Sequence, residues 1–96
     1  MQFLLTAFDG SDPGAPERRQ KARPGHLEKI RIMRNLGQFV FGGAILDDNG
    51  QMIGSMVVYE FPNRKALDNY LKEELYVTEK VWERIEVKPF RQATIG

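Results

Sequence analysis

The chain has 96 residues, 14 basic and 13 acidic, with one histidine and no cysteine. That length supports a single domain, 1–96, and a chain of this size buries roughly 60–65% of its unfolded surface. Without cysteine there are no disulfides, no thiolate catalysis and no cysteine zinc site, and a lone histidine excludes His-rich metal sites, so no metal is expected. A net charge of +1 supplies no general field for nucleic acid or an anionic membrane, and neither is expected as a partner.

Met1 to Phe8 is apolar but lacks the basic start of a secretory signal, and no apolar run approaches the ~20 residues of a membrane span. The expected location is cytoplasmic. Gln2 to Phe8 is short and aromatic-rich, which favours a strand. The Gly/Pro/Asp-rich stretch from Asp9 to Pro16 reads as a loop. Glu17 to Leu36 carries Leu27, Ile30, Met33 and Leu36 at helical spacing, with Gly37 as a stop. Pro24 inside that pattern predicts a kink or a restarted helix.

Phe39 to Leu46 is a second strand. Asp48-Asn49-Gly50 is a hairpin signal, and Met52 to Phe61 is the returning strand. Pro62-Asn63 ends it and caps a helix with the inner stripe Ala66, Leu67, Tyr70 and Leu71. Val81 to Phe90 alternates, with Ile85 and Val87 on one face and Trp82, Arg84, Glu86 and Lys88 on the other.

The order β-α-β-β-α-β predicts an α+β, ferredoxin-like fold: a four-stranded antiparallel sheet with two helices on one face. In the first strand Phe3, Leu5 and Ala7 point one way, and Leu4 and Phe8 the other. In the third, Ile53, Val57 and Tyr59 oppose Met52, Met56 and Val58. Two helices cover one face only, so the second apolar face needs a cover. A second copy, sheet against sheet, predicts a homodimer built as a dimeric α+β barrel.

His26 lies one turn before Ile30 and two before Met33, on their inward or border face. It is the only side chain of the type that ordinarily titrates near neutral pH. Two readings stay open: a core-edge histidine satisfied by one hydrogen bond, or an acid–base residue oriented by a carboxylate. Glu73, Glu74 and Asp9 are the candidate carboxylates. Arg23, just before Pro24, can aim a guanidinium into a cleft and fix an anionic ligand, or be a solvated helix charge like Arg18, Arg19 and Lys21. Ser55 beside Gly54 offers a hydroxyl, or is merely tolerated in its strand. Gly42-Gly43 has no following Lys-Ser/Thr pair, so it reads as a close backbone approach within a strand rather than a phosphate loop.

Arg23-Pro24-Gly25-His26-Leu27 resembles the Arg-Pro-x-His-Leu signature of YciI-like (YCII-related) proteins. Arg19 and Asp9 also fit that family's pattern. Tyr76-Val77 is similar to its Asp-Pro-Tyr-Val segment, and Val87-Lys88-Pro89-Phe90 to its closing Val-Lys-Pro-Phe. The resemblance implies a dimeric α+β barrel with a pocket between helices and sheet, and a His–Asp pair as active site. The histidine carries over to His26; the aspartate position falls on Glu74, with Leu75 in place of the family proline.

The resemblance also implies lyase- or dehydrochlorinase-like chemistry on a small cyclic or anionic metabolite, with no cofactor. His26 and Glu74 would be catalytic, and Arg23, Arg19, Asp9 and Ser55 would bind substrate. The alternative is a non-catalytic small-molecule-binding or dimeric interaction module, in which Glu74 need not touch His26.

Overall fold

A computed structural model describes residues 1–95. The elements are β1 (Gln2–Asp9), α1 (Ala15–Asn35), β2 (Phe39–Leu46), β3 (Met52–Glu60), α2 (Arg64–Leu71), α3 (Leu75–Thr78) and β4 (Trp82–Phe90). The strands form one antiparallel sheet in the order β2-β3-β1-β4, the ferredoxin-like topology. The single-turn helix α3 adds a third helix to the two read from periodicity.

The register sorts the side chains. Phe3, Leu5 and Ala7 stand opposite Tyr59, Val57 and Ser55, and all six are buried beneath the helices. With Ala22, Met33, Leu67, Tyr70, Tyr76 and Trp82 from the helices and β4, the apolar members of that row make the core. On the other face Leu4, Thr6 and Phe8 pair with Val58, Met56 and Gly54 on one side and with Lys88, Glu86 and Arg84 on the other. No helix packs against that row.

Helix α1 departs from its expected form in two ways. It runs through Pro24 as one uninterrupted helix rather than restarting there. Its buried stripe is also not the apolar one. Ala15, Arg19, Ala22, His26 and Met33 face the core, whereas Leu27 is half-exposed and Leu36 is 68% exposed. The physical reason is that Arg19 and His26 each meet a carboxylate, so two polar residues occupy inward positions that hydropathy assigns elsewhere. The end of α1 follows the expected stop. Gly37 adopts φ +76°, Gln38 N–H donates to the Met33 carbonyl, and Gly37 N–H donates to that of Arg34, a Schellman closure.

Three register shifts change side-chain parity along the sheet: one between Ile45 and Leu46 leaves Ile53 as an extra residue of β3, and two bear on the core face. Between Phe39 and Phe41 the register shifts, so Phe39 packs with the core while Phe41 turns to the open face. In β4, Arg84 pairs with Phe8 but Trp82 pairs with Asp9, leaving Glu83 as the extra residue. Trp82 therefore lies on the buried face, 5% exposed, rather than with Arg84, Glu86 and Lys88 as simple alternation predicts.

The inward phase of α1 makes a testable contrast. Met33→Ala, at a site 1% exposed, is expected to cost about 2–5 kcal/mol. Leu36→Ala is expected to stay within about 0.5 kcal/mol of wild type. Urea denaturation ranking the two the other way would contradict the assignment.

Candidate functional site

Two polar clusters pierce the buried face, and both reach one cavity. The first is built on Arg19, a helix residue 3% exposed. Its Nε donates to Asp9 Oδ2 at 2.6 Å, and Nη2 donates to Asp9 Oδ1 at 3.1 Å. Nη2 also donates to the Gly54 carbonyl at 2.8 Å and to Ser55 Oγ at 2.7 Å. A Cβ at Gly54 would fall 2.4 Å from the Ala7 carbonyl oxygen, so glycine is required at the point where β3 offers its own Gly54 carbonyl to Arg19. Ser55 Oγ accepts a second bond from Trp82 Nε1 at 3.0 Å, made available by the β4 bulge. With both lone pairs met by N–H donors, the Ser55 hydroxyl proton is left for an acceptor in the cavity. Arg19 is thus no solvated helix charge.

The second cluster is the pair of His26 and Glu74. Glu74 is 1% exposed, and its Oε1 lies 2.5 Å from His26 Nδ1. The same oxygen accepts the Tyr76 backbone N–H at 3.2 Å, which makes Glu74 the N-cap of α3. Oε2 accepts the Tyr70 hydroxyl. Burial alone pushes the Glu74 carboxyl up. The hydrogen bond and charge of His26, with the Tyr70 hydroxyl and the Tyr76 N–H, more than offset it, and the net direction is downward. An ionised carboxylate can only accept, so Nδ1 carries a proton and donates it to Glu74 Oε1. The ring lies flat on Tyr76, with centroids 3.7 Å apart and planes 8° from parallel.

The cavity has a volume of about 120 Å³. His26, Arg19, Arg23 and Ser55 supply its polar lining, and Leu27, Ile30, Phe39, Val57 and Tyr76 supply apolar walls. Gly42 and Gly43 of β2 form part of its edge. A Cβ at Gly42 would sit 2.6 Å from the Met56 carbonyl oxygen, which fits the close approach expected there. Arg23 makes no ion pair among the described residues. Asp9 meets Arg19 and is not among the lining residues of this cavity. Among the described residues no three His, Asp or Glu side chains are grouped to hold a metal ion, and no helix is long and apolar enough to cross a membrane.

Sequence reasoning missed Tyr70, Tyr76 and Trp82 as site residues. Tyr70 and Tyr76 flank Glu74 at positions −4 and +2, a local spacing that marks them once Glu74 is singled out.

The model of the YCII-related domain family matches residues 1–91. The Escherichia coli protein YciI is 29% identical over 96% of this chain and 98% of its own length. An uncharacterized protein of Haemophilus influenzae is 28% identical over the same shares. Among solved structures, the fold is similar to that of 5-chloro-2-hydroxyhydroquinone dehydrochlorinase from Burkholderia phenoliruptrix, solved in complex with 2,5-dihydroxybenzoquinone. That likeness has a TM-score of 0.82 at 18% identity and covers 97% of this chain and 96% of the other. An antibiotic biosynthesis monooxygenase shares the fold more distantly, with a TM-score of 0.55 at 15% identity over 97% and 98% of the two chains.

The depressed Glu74 titration fixes a pH dependence. A carboxyl whose folded pKa lies below its ordinary 4.5 stabilises the fold above that value, and this contribution is lost as pH falls through the folded pKa. Glu74→Gln is expected to be less stable than wild type at neutral pH and to lack that part of the acid loss. Urea midpoints followed from neutral pH down to about pH 3 should converge. Parallel curves would show that Glu74 carries no such linkage.

Proposed function

This chain belongs to the YCII-related domain family, and from that premise we propose a small, cofactor-independent acid–base enzyme. It moves a proton on a single-ring substrate bearing an enol- or phenol-type oxygen, in the manner of a lyase or dehydrochlorinase. The observation that carries this reading is the His26–Glu74 pair beside the cavity. Glu74 orients the ring and stabilises the imidazolium that forms when Nε2 takes a proton. Arg23 pairs with the oxygen on which negative charge develops, and the Ser55 hydroxyl donates to a second acceptor. Arg19 and Asp9 act by holding Ser55 in place.

Size supports the substrate class. A cavity of roughly 150 Å³ is enough for benzene, and drug-sized ligands need about 300 Å³ or more. At about 120 Å³ with apolar walls and one open side, this one admits no more than a single ring, part of which stays outside it. The quinone bound by the dehydrochlorinase of similar fold is a ligand of that class. No side chain in the cavity is placed as a base-activated nucleophile, because the hydrogen bond of His26 goes to Glu74 and Ser55 Oγ accepts from Arg19 and Trp82.

We further propose that the open sheet face, with Leu4, Phe8, Phe41 and Met56 around the already buried Val58, joins a second copy in a homodimer. Light scattering is expected to give twice the mass of one chain at micromolar concentration. A monomer there would reject the dimer.

The functional reading is tested by thermal shift with small phenols and dihydroxyquinones, 2,5-dihydroxybenzoquinone among them. Binding compounds are expected to stabilise the wild type and to exchange ring hydrogens with deuterated water in its presence. His26→Ala should remain folded and lower that exchange by about 10²–10⁴-fold. Compounds that bind without any exchange would move the chain to the non-catalytic binding module.

A further inference from the structure

Tyr70 lies outside the cavity, and the acid–base chemistry proposed above gives it no part. Its hydroxyl nevertheless donates to Glu74 Oε2, while Glu74 Oε1 receives His26 Nδ1–H and the Tyr76 N–H. The three donors come from α2, α1 and α3, so the carboxylate is gripped from three sides. Burial pushes the Tyr70 phenol well up from its ordinary value, and it stays a protonated donor. Behind it the Tyr59 ring packs at 5.5 Å between centroids, with its buried hydroxyl on the Tyr70 side and bonded to neither Glu74 nor His26. The other charged groups near this cluster are Arg19, whose guanidinium lies over the Tyr76 ring at 4.8 Å, its partner Asp9, and Arg23.

Without the Tyr70 hydroxyl, Oε2 is an unpaired anionic oxygen at a residue 1% exposed. Such a carboxylate has two escapes: it takes up a proton, or it rotates to share its remaining donors. Either one disturbs the bond to Nδ1. We infer that Tyr70 is a positioning residue: its hydroxyl locks the Glu74 carboxylate in the rotation that keeps His26 in the Nδ1–H tautomer, with Nε2 left to the cavity. This rests on the reading of His26 as the proton-transfer residue. It also explains how a glutamate, one methylene longer than aspartate, holds a fixed geometry here. The extra length is tied down at its far oxygen.

The test uses the fact that the chain has one imidazole, so its nitrogen resonances need no assignment among histidines. In the ¹⁵N-labelled wild type, above the imidazole titration, Nδ1 is expected to be protonated and Nε2 bare. Tyr70→Phe is expected to raise the Nε2–H to Nδ1–H ratio about tenfold, as for loss of one hydrogen bond to a charged group. Tyr59→Phe, which removes a hydroxyl bonded to neither Glu74 nor His26, should move the ratio far less than Tyr70→Phe. A folded Tyr70→Phe with the wild-type ratio overturns the inference and leaves the His26–Glu74 reading standing. A wild type in the Nε2–H form overturns that reading itself. If Tyr70→Phe does not fold, the wild-type Tyr70 hydroxyl proton decides. It should be low-field and slowly exchanging, and its absence would reject the clamp.

Discussion

Desolvating a carboxylate costs several kcal/mol, and a fold carries one only where donors replace the lost water. Glu74 is that case, and the packing of the helical layer follows from how it is satisfied. His26 brings α1 to it, Tyr70 brings α2, and the first turn of α3 is capped by it. The chain therefore cannot close its helical layer without also assembling the imidazole–carboxylate pair. In this protein the site is part of the core.

The Asp9–Arg19 pair does the matching work between helix and sheet. Arg19 crosses from α1 to the end of β1 and to the β3 backbone, and through Ser55 it reaches Trp82 on β4. A buried pair of opposite charges is weak evidence for net stability, since a well-packed apolar replacement often does as well. What it provides here is direction. Two N–H donors, Arg19 Nη2 and Trp82 Nε1, fix the orientation of Ser55, which apolar side chains cannot do.

Much of this was legible in the sequence. Strand alternation gave the correct faces for Phe3, Leu5 and Ala7 and for Val57 and Tyr59, because one face of an antiparallel sheet is covered and period-two patterning records it. The hairpin at Gly50 and the Asn63 cap were readable because turn chemistry is local. Spacing put His26 and Met33 inward correctly, but Leu27 and Leu36 were misplaced and Arg19 was read as a solvated charge, because hydropathy cannot see that the distant partner Asp9 makes Arg19 inward. Trp82 was misplaced because a bulge leaves no mark in simple alternation, and Tyr70 escaped notice for a reason related to that of Arg19. An aromatic residue is apolar enough to be filed as core, and its polar end counts only when a partner is known. The single turn of α3 is too short for any periodicity to declare it.

The bulge at Glu83 has a consequence beyond aiming one tryptophan. Upstream of it the parity of β4 is reversed relative to the rest of the strand, so Trp82 and Ile85, three apart, share a face. Sequence drift in the segment entering β4 is therefore constrained in an uneven way. Gaining or losing two residues there preserves facing, whereas gaining or losing one swings the indole to solvent. The damage from a single step would register at Ser55 and Arg19, on other elements. A stretch that contributes no atom to the cavity wall thus constrains the cavity through its length.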